Sequence, residues 1–155
     1  MSLANTAEKK FKEWLEHKQY SYIYLDQGFD TFSSLFKNKI KRPDFFVLID
    51  GIGLIAVDIK SREKVNEYYN DEYFNLSEIK DTQKLLAFER RFKIPVWIVF
   101  SLEAANYSWY WISLSEMLEQ TYVIDAKNNT NTPFRSIPLK SLKLIIFYAL
   151  FKKLN

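Results

Sequence analysis

The amino-terminal part of the chain changes from a helical to a strand pattern of apolar positions. Apolar side chains recur at helical spacing from Thr6 to Lys18, and either Asn5 or Thr6 can cap this segment, which predicts a helix. Residues 20–25 are aromatic and β-branched, and the Gly28 region ends this run, so a first strand is predicted there. Residues 29–41 have no clear pattern.

The strongest local pattern lies in residues 44–60, where two apolar runs flank the sequence Asp50-Gly-Ile-Gly. Two such runs around a glycine turn predict a β-hairpin. A three-residue loop would set the register in which Asp44 lies directly opposite Asp58. Because side chains alternate along a strand, Lys60 shares its face with Asp58. The hairpin therefore brings three charged side chains together in an otherwise apolar sheet.

The middle of the chain is less regular. Residues 63–75 are polar, acidic and rich in tyrosine without a clean period, so a loop or an irregular insert is predicted. Ser77 can cap a second helix that runs to about Phe92. Glu78 and Asp81 stand at the start of this helix and basic residues at its end, as the helix dipole favours.

Two further strands and a short helix are predicted next. Residues 96–100 form a continuous apolar run of the kind that is buried on both faces of a sheet. Residues 107–112 form another strand. Ser113 and Glu116 have the spacing of a capping box, which predicts a short helix after this strand.

The carboxyl-terminal part of the chain is strongly apolar. After a loop at residues 128–132, residues 139–154 are predicted to form a final helix that is apolar nearly all round from Leu144. Such a surface needs a core or a subunit interface to cover it. Burial against the sheet or against a two-fold partner is expected, with a homodimer preferred.

This order of elements predicts an α/β protein with a mixed central sheet flanked by helices. The length of 155 residues suits a single domain, since about 100 to 200 residues are usual. Within it we expect a core over residues 6–100 and a carboxyl-terminal extension over residues 101–155. The chain has no glycine-rich phosphate loop, which argues against dinucleotide-binding and P-loop folds.

The composition removes several classes of chemistry. The chain has no cysteine and one histidine, which excludes thiolate chemistry and any site that needs two imidazoles. No signal or membrane-spanning pattern is present, so a cytoplasmic protein is expected. The net charge is +3, and residues 126–155 carry basic side chains without an acidic one. This asymmetry is compatible with a basic patch for nucleic acid and equally with lysines that only keep the protein in solution.

The predicted hairpin suggests what chemistry remains. Two carboxylates side by side in an apolar sheet, Asp44 and Asp58, repel one another and have raised pKa values unless a cation lies between them. Oxygen ligands of this kind suit Mg²⁺ or Mn²⁺. An internal ion pair between Asp58 and Lys60 is the structural alternative.

These residues also match a known pattern. Thirteen residues separate Pro43-Asp44 from Asp58-Ile59-Lys60. This arrangement resembles the PD-(D/E)xK signature of the restriction-endonuclease-like phosphodiesterase superfamily, which includes archaeal Holliday junction resolvases. Glu8 stands where members of that superfamily often place a glutamate in the first helix. Gln83 falls at a Gln or Lys position in the helix after the motif strand. The resemblance covers residues 6–100 and implies an αβββαβ core.

The resemblance implies metal-dependent hydrolysis of a phosphodiester backbone, with DNA favoured over RNA as the substrate. Asp44, Asp58, the backbone carbonyl of Ile59 and Glu8 would bind one or two Mg²⁺ or Mn²⁺ ions. Lys60 would orient the attacking water and stabilise negative charge, with Gln83 as a further member of the catalytic set.

Several of these residues also have a purely structural interpretation. Glu8 can form a capping box with Asn5, and Gln83 can be an ordinary surface residue of a helix. The basic residues that flank the motif can hold phosphates or simply lie at solvated strand ends; they are Lys41, Arg42 and Arg62.

The aromatic residues are equally open to two interpretations. The group Tyr68, Tyr69, Tyr73 and Phe74 can stack on nucleic-acid bases or pack a loop onto the core. Trp109 and Trp111 are expected in the core or in an interface. Two alternatives to an enzyme therefore stay open: a non-catalytic nucleic-acid-binding module and an oligomeric interaction module on the same fold.

Overall fold

The computed structural model describes residues 6–25, 33, 39–103, 108–125 and 132–145. The elements in chain order are α1 (Thr6–Lys18), β1 (Ser21–Tyr24), β2 (Phe45–Ile49), β3 (Gly53–Arg62), β4 (Asn66–Tyr68), β5 (Asp71–Ser77), α2 (Gln83–Phe92), β6 (Val96–Leu102), β7 (Ser108–Ser113), α3 (Leu114–Gln120), β8 (Val123–Ile124), β9 (Phe134–Pro138) and β10 (Lys143–Ile145). A π-helical turn, Glu78–Thr82, leads into α2, and a 3-10 turn, Leu139–Ser141, precedes β10.

The strands form two sheets. The main sheet has the order β1-β2-β3-β6-β7-β10, in which β3 and β6 are parallel and the other described pairs antiparallel. The second sheet is antiparallel, with the order β4-β5-β9-β8. The prediction of an α/β fold with a mixed central sheet is confirmed. The helix α2 lies on the long crossover that a parallel pair requires.

Apolar clusters cover both faces of the main sheet. On one side, called here the α1 face, Phe11 of α1 packs edge-on against Phe45 of β2 with ring centroids 5.2 Å apart. On the other side, called the α2 face, α2, α3 and the second sheet cover the strands. There Phe74 of β5 stacks on Phe100 of β6 with centroids 4.6 Å apart. The main sheet is therefore the middle layer of the molecule.

The β2–β3 hairpin forms with the predicted three-residue loop. Ile49 pairs with Gly53, and Phe45 pairs with Val57. Gly51 and Gly53 have φ values of 79° and 105°, which glycine adopts without a side-chain clash. The glycine pattern in the sequence therefore predicted both the turn and the strand register.

The acidic, tyrosine-rich segment is a second hairpin, so the prediction of a loop or irregular insert was wrong. Its strands β4 and β5 meet at a tight turn whose two central residues, Tyr69 and Asn70, have φ values of 50° and 66°. Hairpin turns with two positive φ values usually contain Asn-Gly or Asp-Gly. Without a glycine, this turn lacks the sequence signal that marked the first hairpin.

The prediction of one helix over residues 139–154 was also wrong for the part that the structure describes. Residues 143–145 pair with β7 as an edge strand, with Lys143 opposite Trp111 and Ile145 opposite Trp109. A short apolar run suits a buried strand and a buried helix equally well, and the open edge of β7 accepts a strand here. Residues 146–154 lie outside the described residues, so the homodimer that this segment suggested stays a prediction.

The other helix predictions are confirmed. The helix α1 has the predicted bounds, Ser77 Oγ accepts from Lys80 N–H at 3.2 Å, and Ser113 Oγ accepts from Glu116 N–H at 3.1 Å. Trp109 and Trp111 are buried in the cluster on the α1 face, as one of the two expectations had it. The predicted features at Asn5, at the Gly28 region and at most of residues 29–41 and 128–132 lie outside the described residues.

The helices that the structure describes are all too short or too polar to cross a bilayer.

The β4–β5 turn generates a stability prediction. A left-handed residue other than glycine costs about 1 to 2 kcal/mol, and asparagine tolerates this conformation better than tyrosine. Replacing Tyr69 by Asn and Asn70 by Gly should therefore raise the free energy of unfolding by about 1 kcal/mol, measured by urea denaturation. The control Tyr68→Asn changes a residue of β4 whose ring contacts Tyr73 at 5.8 Å between centroids, and it should not raise stability. Equal effects of the two changes would refute the turn argument.

Candidate active site

The candidate site lies where β3 continues past the end of β2. The last pair between these strands is Phe45 with Val57, whereas β3 runs on to Arg62 beside β6. After Val57, no described strand pairs with β3 on the β2 side. The N–H of Ile59 on that edge donates instead to Asp44 Oδ2 at 2.7 Å. A carboxylate thus replaces the missing strand.

The position of Asp44 differs slightly from the predicted one. Its N–H donates to the carbonyl of Val57 at 2.9 Å, although Val57 already pairs with Phe45. Two successive residues facing one partner form a β-bulge, which re-aims a side chain at the end of a strand. Asp44 therefore lies beside Ile59 at the sheet edge rather than in regular register opposite Asp58. The two carboxylates are nevertheless close enough for the charge of Asp58 to raise the pKa of Asp44.

Asp44 is a buried and poorly compensated carboxyl group, only 8% exposed. Burial raises its pKa well above the usual value, and the charge of Asp58 raises it further. The Ile59 N–H acts in the opposite direction, Glu8 adds to the rise, and Lys60 opposes it. A group in this environment gains from a nearby cation.

Asp58 and Lys60 belong to a network of four charges on the α2 face, the side to which Ala56 of the same strand packs. Oδ2 of Asp58, which is 1% exposed, lies 3.1 Å from Lys60 Nζ and 3.7 Å from Lys41 Nζ. Both lysines donate to Oδ1 of Asp81, Lys60 at 2.7 Å and Lys41 at 2.6 Å. The ion pair that was the structural alternative for Asp58 and Lys60 is therefore present.

The network keeps Lys60 positively charged. Burial alone would lower its pKa, but the charges of Asp58 and Asp81 outweigh burial and raise the pKa above its usual value. Burial would likewise raise the pKa of Asp81, yet Lys60 and Lys41 hold it below the usual range. A lysine in this state stabilises negative charge and is unsuited to accept a proton at neutral pH.

Asp81 is the member of the site that the sequence pattern did not reveal. It lies in the π-helical turn between β5 and α2, and the sequence suggested only that it favours the helix dipole. Single π-helical turns are rare and often occur at functional sites. The one available signal was an acidic residue in the first turn of a helix that follows the motif strand, and this signal does not specify a contact with Lys60.

Glu8 is directed at the site from α1. Its side chain is buried, 5% exposed, and accepts a hydrogen bond from the Tyr24 hydroxyl at 3.2 Å. Its charge acts on Asp44, which agrees with the predicted direction of the side chain. The competing capping box with Asn5 falls outside the described residues.

The other residues predicted for the site differ in how close they lie to the charge network. Lys41 belongs to the charge network, and Arg42, half-buried, follows it in the approach to β2. Arg62 donates to the backbone carbonyls of Ser61 and Asn75, both at 3.0 Å, and burial lowers its pKa. Gln83 is exposed at the first position of α2.

The tyrosine group divides between the two expected roles. Phe74 is in the core, whereas Tyr68, Tyr69 and Tyr73 line an open cavity of about 460 Å³ on the outer side of the second sheet. Tyr122 also lines this cavity. The packing interpretation is therefore correct for Phe74, while the three tyrosines leave a surface that faces solvent.

The donor set at the edge of β3 fits a divalent cation. Oδ2 of Asp58 is buried and has no hydrogen-bond partner among the described residues, although Lys60 Nζ lies 3.1 Å away. The N–H and C=O of one strand residue point to the same side, so the Ile59 carbonyl lies on the edge that Asp44 occupies. Among the described residues no three carboxylates or imidazoles converge closely enough to form a complete metal cage. Mg²⁺ commonly binds through one or two carboxylates and keeps several waters.

The fold has known counterparts. The chain is similar to the solved structure of Hjc from Archaeoglobus fulgidus, a Holliday junction resolvase from an archaeal hyperthermophile. The TM-score is 0.54 over 86% of this chain and 87% of that chain, at 15% sequence identity. No protein-family model and no curated protein sequence matches the chain. The fold is restriction-endonuclease-like, as the sequence resemblance implied.

The buried state of Asp44 predicts a pH-dependent effect of Asp44→Asn. The folded protein holds the Asp44 proton more tightly than the unfolded chain, so wild-type stability falls as the pH rises from about 4 through the folded pKa. Asparagine carries no charge, and its oxygen can still accept from Ile59. Asp44→Asn should therefore be more stable than wild type at pH 7, with a difference that disappears below about pH 4.

Chemical denaturation at a series of pH values measures this difference. The matched control is Asp50→Asn, since Asp50 is exposed in the turn of the same hairpin. The control should follow wild type throughout the pH range. A variant Asp44→Asn that is less stable than wild type at pH 7 would contradict the uncompensated burial of this carboxylate.

Proposed function

We propose that this protein is a divalent-metal-dependent nuclease that hydrolyses the phosphodiester backbone of nucleic acid, with DNA favoured over RNA. One observation carries the proposal: two buried carboxylates, Asp44 and Asp58, lie at the open edge of β3 beside a lysine that keeps its charge. Such burial is costly for a protein unless the charges serve a purpose or are fully paired. Among the described residues, the Asp44 carboxylate accepts one hydrogen bond, from the Ile59 N–H.

The metal would be held by Asp44, Asp58 and the Ile59 carbonyl, with Glu8 as a further oxygen donor. Mg²⁺ or Mn²⁺ suits these ligands, and when bound it lowers the pKa of a bound water and neutralises charge on the reacting phosphate. The protein supplies a low-dielectric edge in which backbone contacts fix Asp44 and lysine side chains lie beside Asp58. Asp44 is fixed by bonds of its side chain and of its N–H to β3.

Lys60 would stabilise the negative charge that develops on the phosphate and orient the attacking water. Its raised pKa supports an electrostatic role over that of a general base. Asp81 would act as a positioning residue, because it accepts hydrogen bonds from Lys60 and Lys41 together. Lys60 therefore keeps one carboxylate partner even when Asp58 turns to a metal.

The substrate would be contacted through its phosphates. Lys41 and Arg42 precede the motif at the same end of the sheet, and basic side chains position a nucleic-acid backbone without reading its sequence. Arg62 is held by backbone carbonyls, which supports a more structural role for it. The preference for DNA is supported by the Holliday junction resolvase with the same fold. A homodimer would present two such sites to the strands of one DNA molecule.

Cleavage assays with Asp58→Asn test the proposal. Wild type with Mg²⁺ or Mn²⁺ should cleave at least one substrate among a four-way DNA junction, a linear duplex, single-stranded DNA and RNA. Asp58→Asn should lower the rate about 100-fold or more, because it removes a metal-binding charge. Asp50→Asn at the other end of the hairpin should cleave like wild type.

The alternatives have distinct outcomes in the same experiment. Bound metal should raise the wild-type melting temperature and leave that of Asp58→Asn unchanged. DNA binding without cleavage or metal stabilisation would identify a non-catalytic binding module. The absence of cleavage, metal response and nucleic-acid binding would favour an interaction module in which the four charges are purely structural.

The comparison of Asp81→Asn with Gln83→Ala tests which residue of this region takes part. Asp81→Asn should lower kcat about tenfold, since one charge-assisted contact to Lys60 is lost. It should also move the basic limb of the pH–rate profile to lower pH, because Asp81 helps to raise the pKa of Lys60. Gln83→Ala should leave both unchanged. The opposite result would transfer the role to Gln83, the residue that the sequence resemblance suggested.

A further inference from the structure

A second concave site lies on the α1 face of the main sheet. It is a cavity of about 310 Å³ whose walls include the side chains of Trp14, Tyr20, Trp97 and Trp111. Apolar residues of β2 and β3 close its floor. This volume is near the lower end of the range for small-molecule pockets, about 300 to 1,000 Å³. The cavity is large enough for one compact ligand.

The cavity is separate from the candidate active site. Its floor includes Ile55 of β3, which faces α1, whereas Asp58 and Lys60 share the opposite, α2 face. Ile55 and Lys60 are also about 16 Å apart along the strand, at roughly 3.3 Å per residue. The two sites therefore occupy opposite faces and different ends of β3.

The charged groups of the cavity are all positive. Two of the described residues that line it are charged at neutral pH, Lys18 of α1 and Lys143 of β10. No acidic residue is among them. Lys143 Nζ lies 5.8 Å from the centroid of the Trp97 ring. Because Lys143 is held over the Trp97 ring, its positive charge would attract the anionic group of a ligand to this part of the cavity.

The aromatic walls contain unused hydrogen-bond donors. The Nε1–H groups of Trp14 and Trp111 are buried and have no hydrogen-bond partner among the described residues. Both side chains are more than nine-tenths buried, at 5% and 6% exposure. The Nε1–H of Trp109, which does not line the cavity, is also unsatisfied, so these donors belong to the aromatic cluster of the α1 face as a whole.

We propose that this cavity binds a small aromatic anion. Its planar ring would pack among the indoles, and its phosphate or carboxylate group would lie between Lys18 and Lys143. Ring packing supplies affinity through buried apolar area and offset stacking, while the two lysines select the charged group. A mononucleotide and an aromatic carboxylate share this chemistry.

Calorimetric titration with four probes separates the two required features. Adenosine monophosphate and indole-3-acetate each carry a ring and an anionic group, adenosine carries only the ring, and inorganic phosphate only the charge. At least one of the first two should bind about tenfold more tightly than adenosine and phosphate. The tighter of the two identifies the source of the ligand. Equal binding of adenosine and its monophosphate, or no binding by any probe, would overturn the proposal.

The tryptophans report where the probe binds. Three of the four tryptophans of the chain line the cavity, and Trp109 does not. In a two-dimensional NMR spectrum, the indole N–H signals of Trp14, Trp97 and Trp111 should shift more than that of Trp109. A probe bound at the candidate nuclease site would leave these signals in place, and this outcome would refute the cavity as the binding site.

Lysine variants complete the test. Lys18→Met and Lys143→Met together should weaken binding of the anionic probe about tenfold or more while adenosine binding stays unchanged. The matched control is Lys9→Met, which removes an exposed lysine of the same helix. Lys143 is exposed and Lys18 is half-buried at the last position of α1, so the fold should persist, as a melting curve verifies. Unchanged affinity in the double variant would overturn the assignment of the charged group.

Discussion

The unequal length of two neighbouring strands governs the candidate site. β3 has strand partners on both sides at Ala56 and Val57, and among the described residues only β6 pairs with it beyond Val57, so the next N–H on the β2 side, that of Ile59, would be buried without an acceptor. An unsatisfied buried donor costs about 1 to 3 kcal/mol. The Asp44 carboxylate meets this need, and the bulge at the start of β2 aims it there. The unpaired Ile59 N–H thus accounts for the presence of a buried carboxylate at the sheet edge.

The charges of the site combine structural and functional features. Asp58, Lys60, Asp81 and Lys41 pair with one another by charge, while Oδ2 of Asp58 has no hydrogen-bond partner among the described residues. Asp44 stands apart from these pairs, and its pKa is raised. The combination of a charge-paired network with one poorly compensated acid is a pattern that often accompanies functional sites.

The sequence predicted what short-range patterns encode. Glycines at 51 and 53 set the first hairpin, and through it the proximity of Asp44 and Asp58. The second hairpin was missed because Tyr69 and Asn70 adopt positive φ without a glycine, and β10 was missed because an apolar run does not distinguish strand from helix. Asp81 was missed for a different reason: its contact with Lys60 depends on the π-helical turn and the tertiary fold, which no spacing in the chain reveals.

The parallel pairing of β3 with β6 also determines when the site can form during folding. The hairpin that joins Asp44 to Asp58 is local and closes early, on the microsecond scale typical of hairpins. The β3–β6 pair must first enclose the second hairpin, the π-helical turn and α2, and long loops are closed slowly. Asp81 therefore reaches Lys60 only once the crossover has docked. A partly folded chain therefore holds Asp58 beside Lys60 before Asp81 joins them, so the complete network of four charges is a late product of folding.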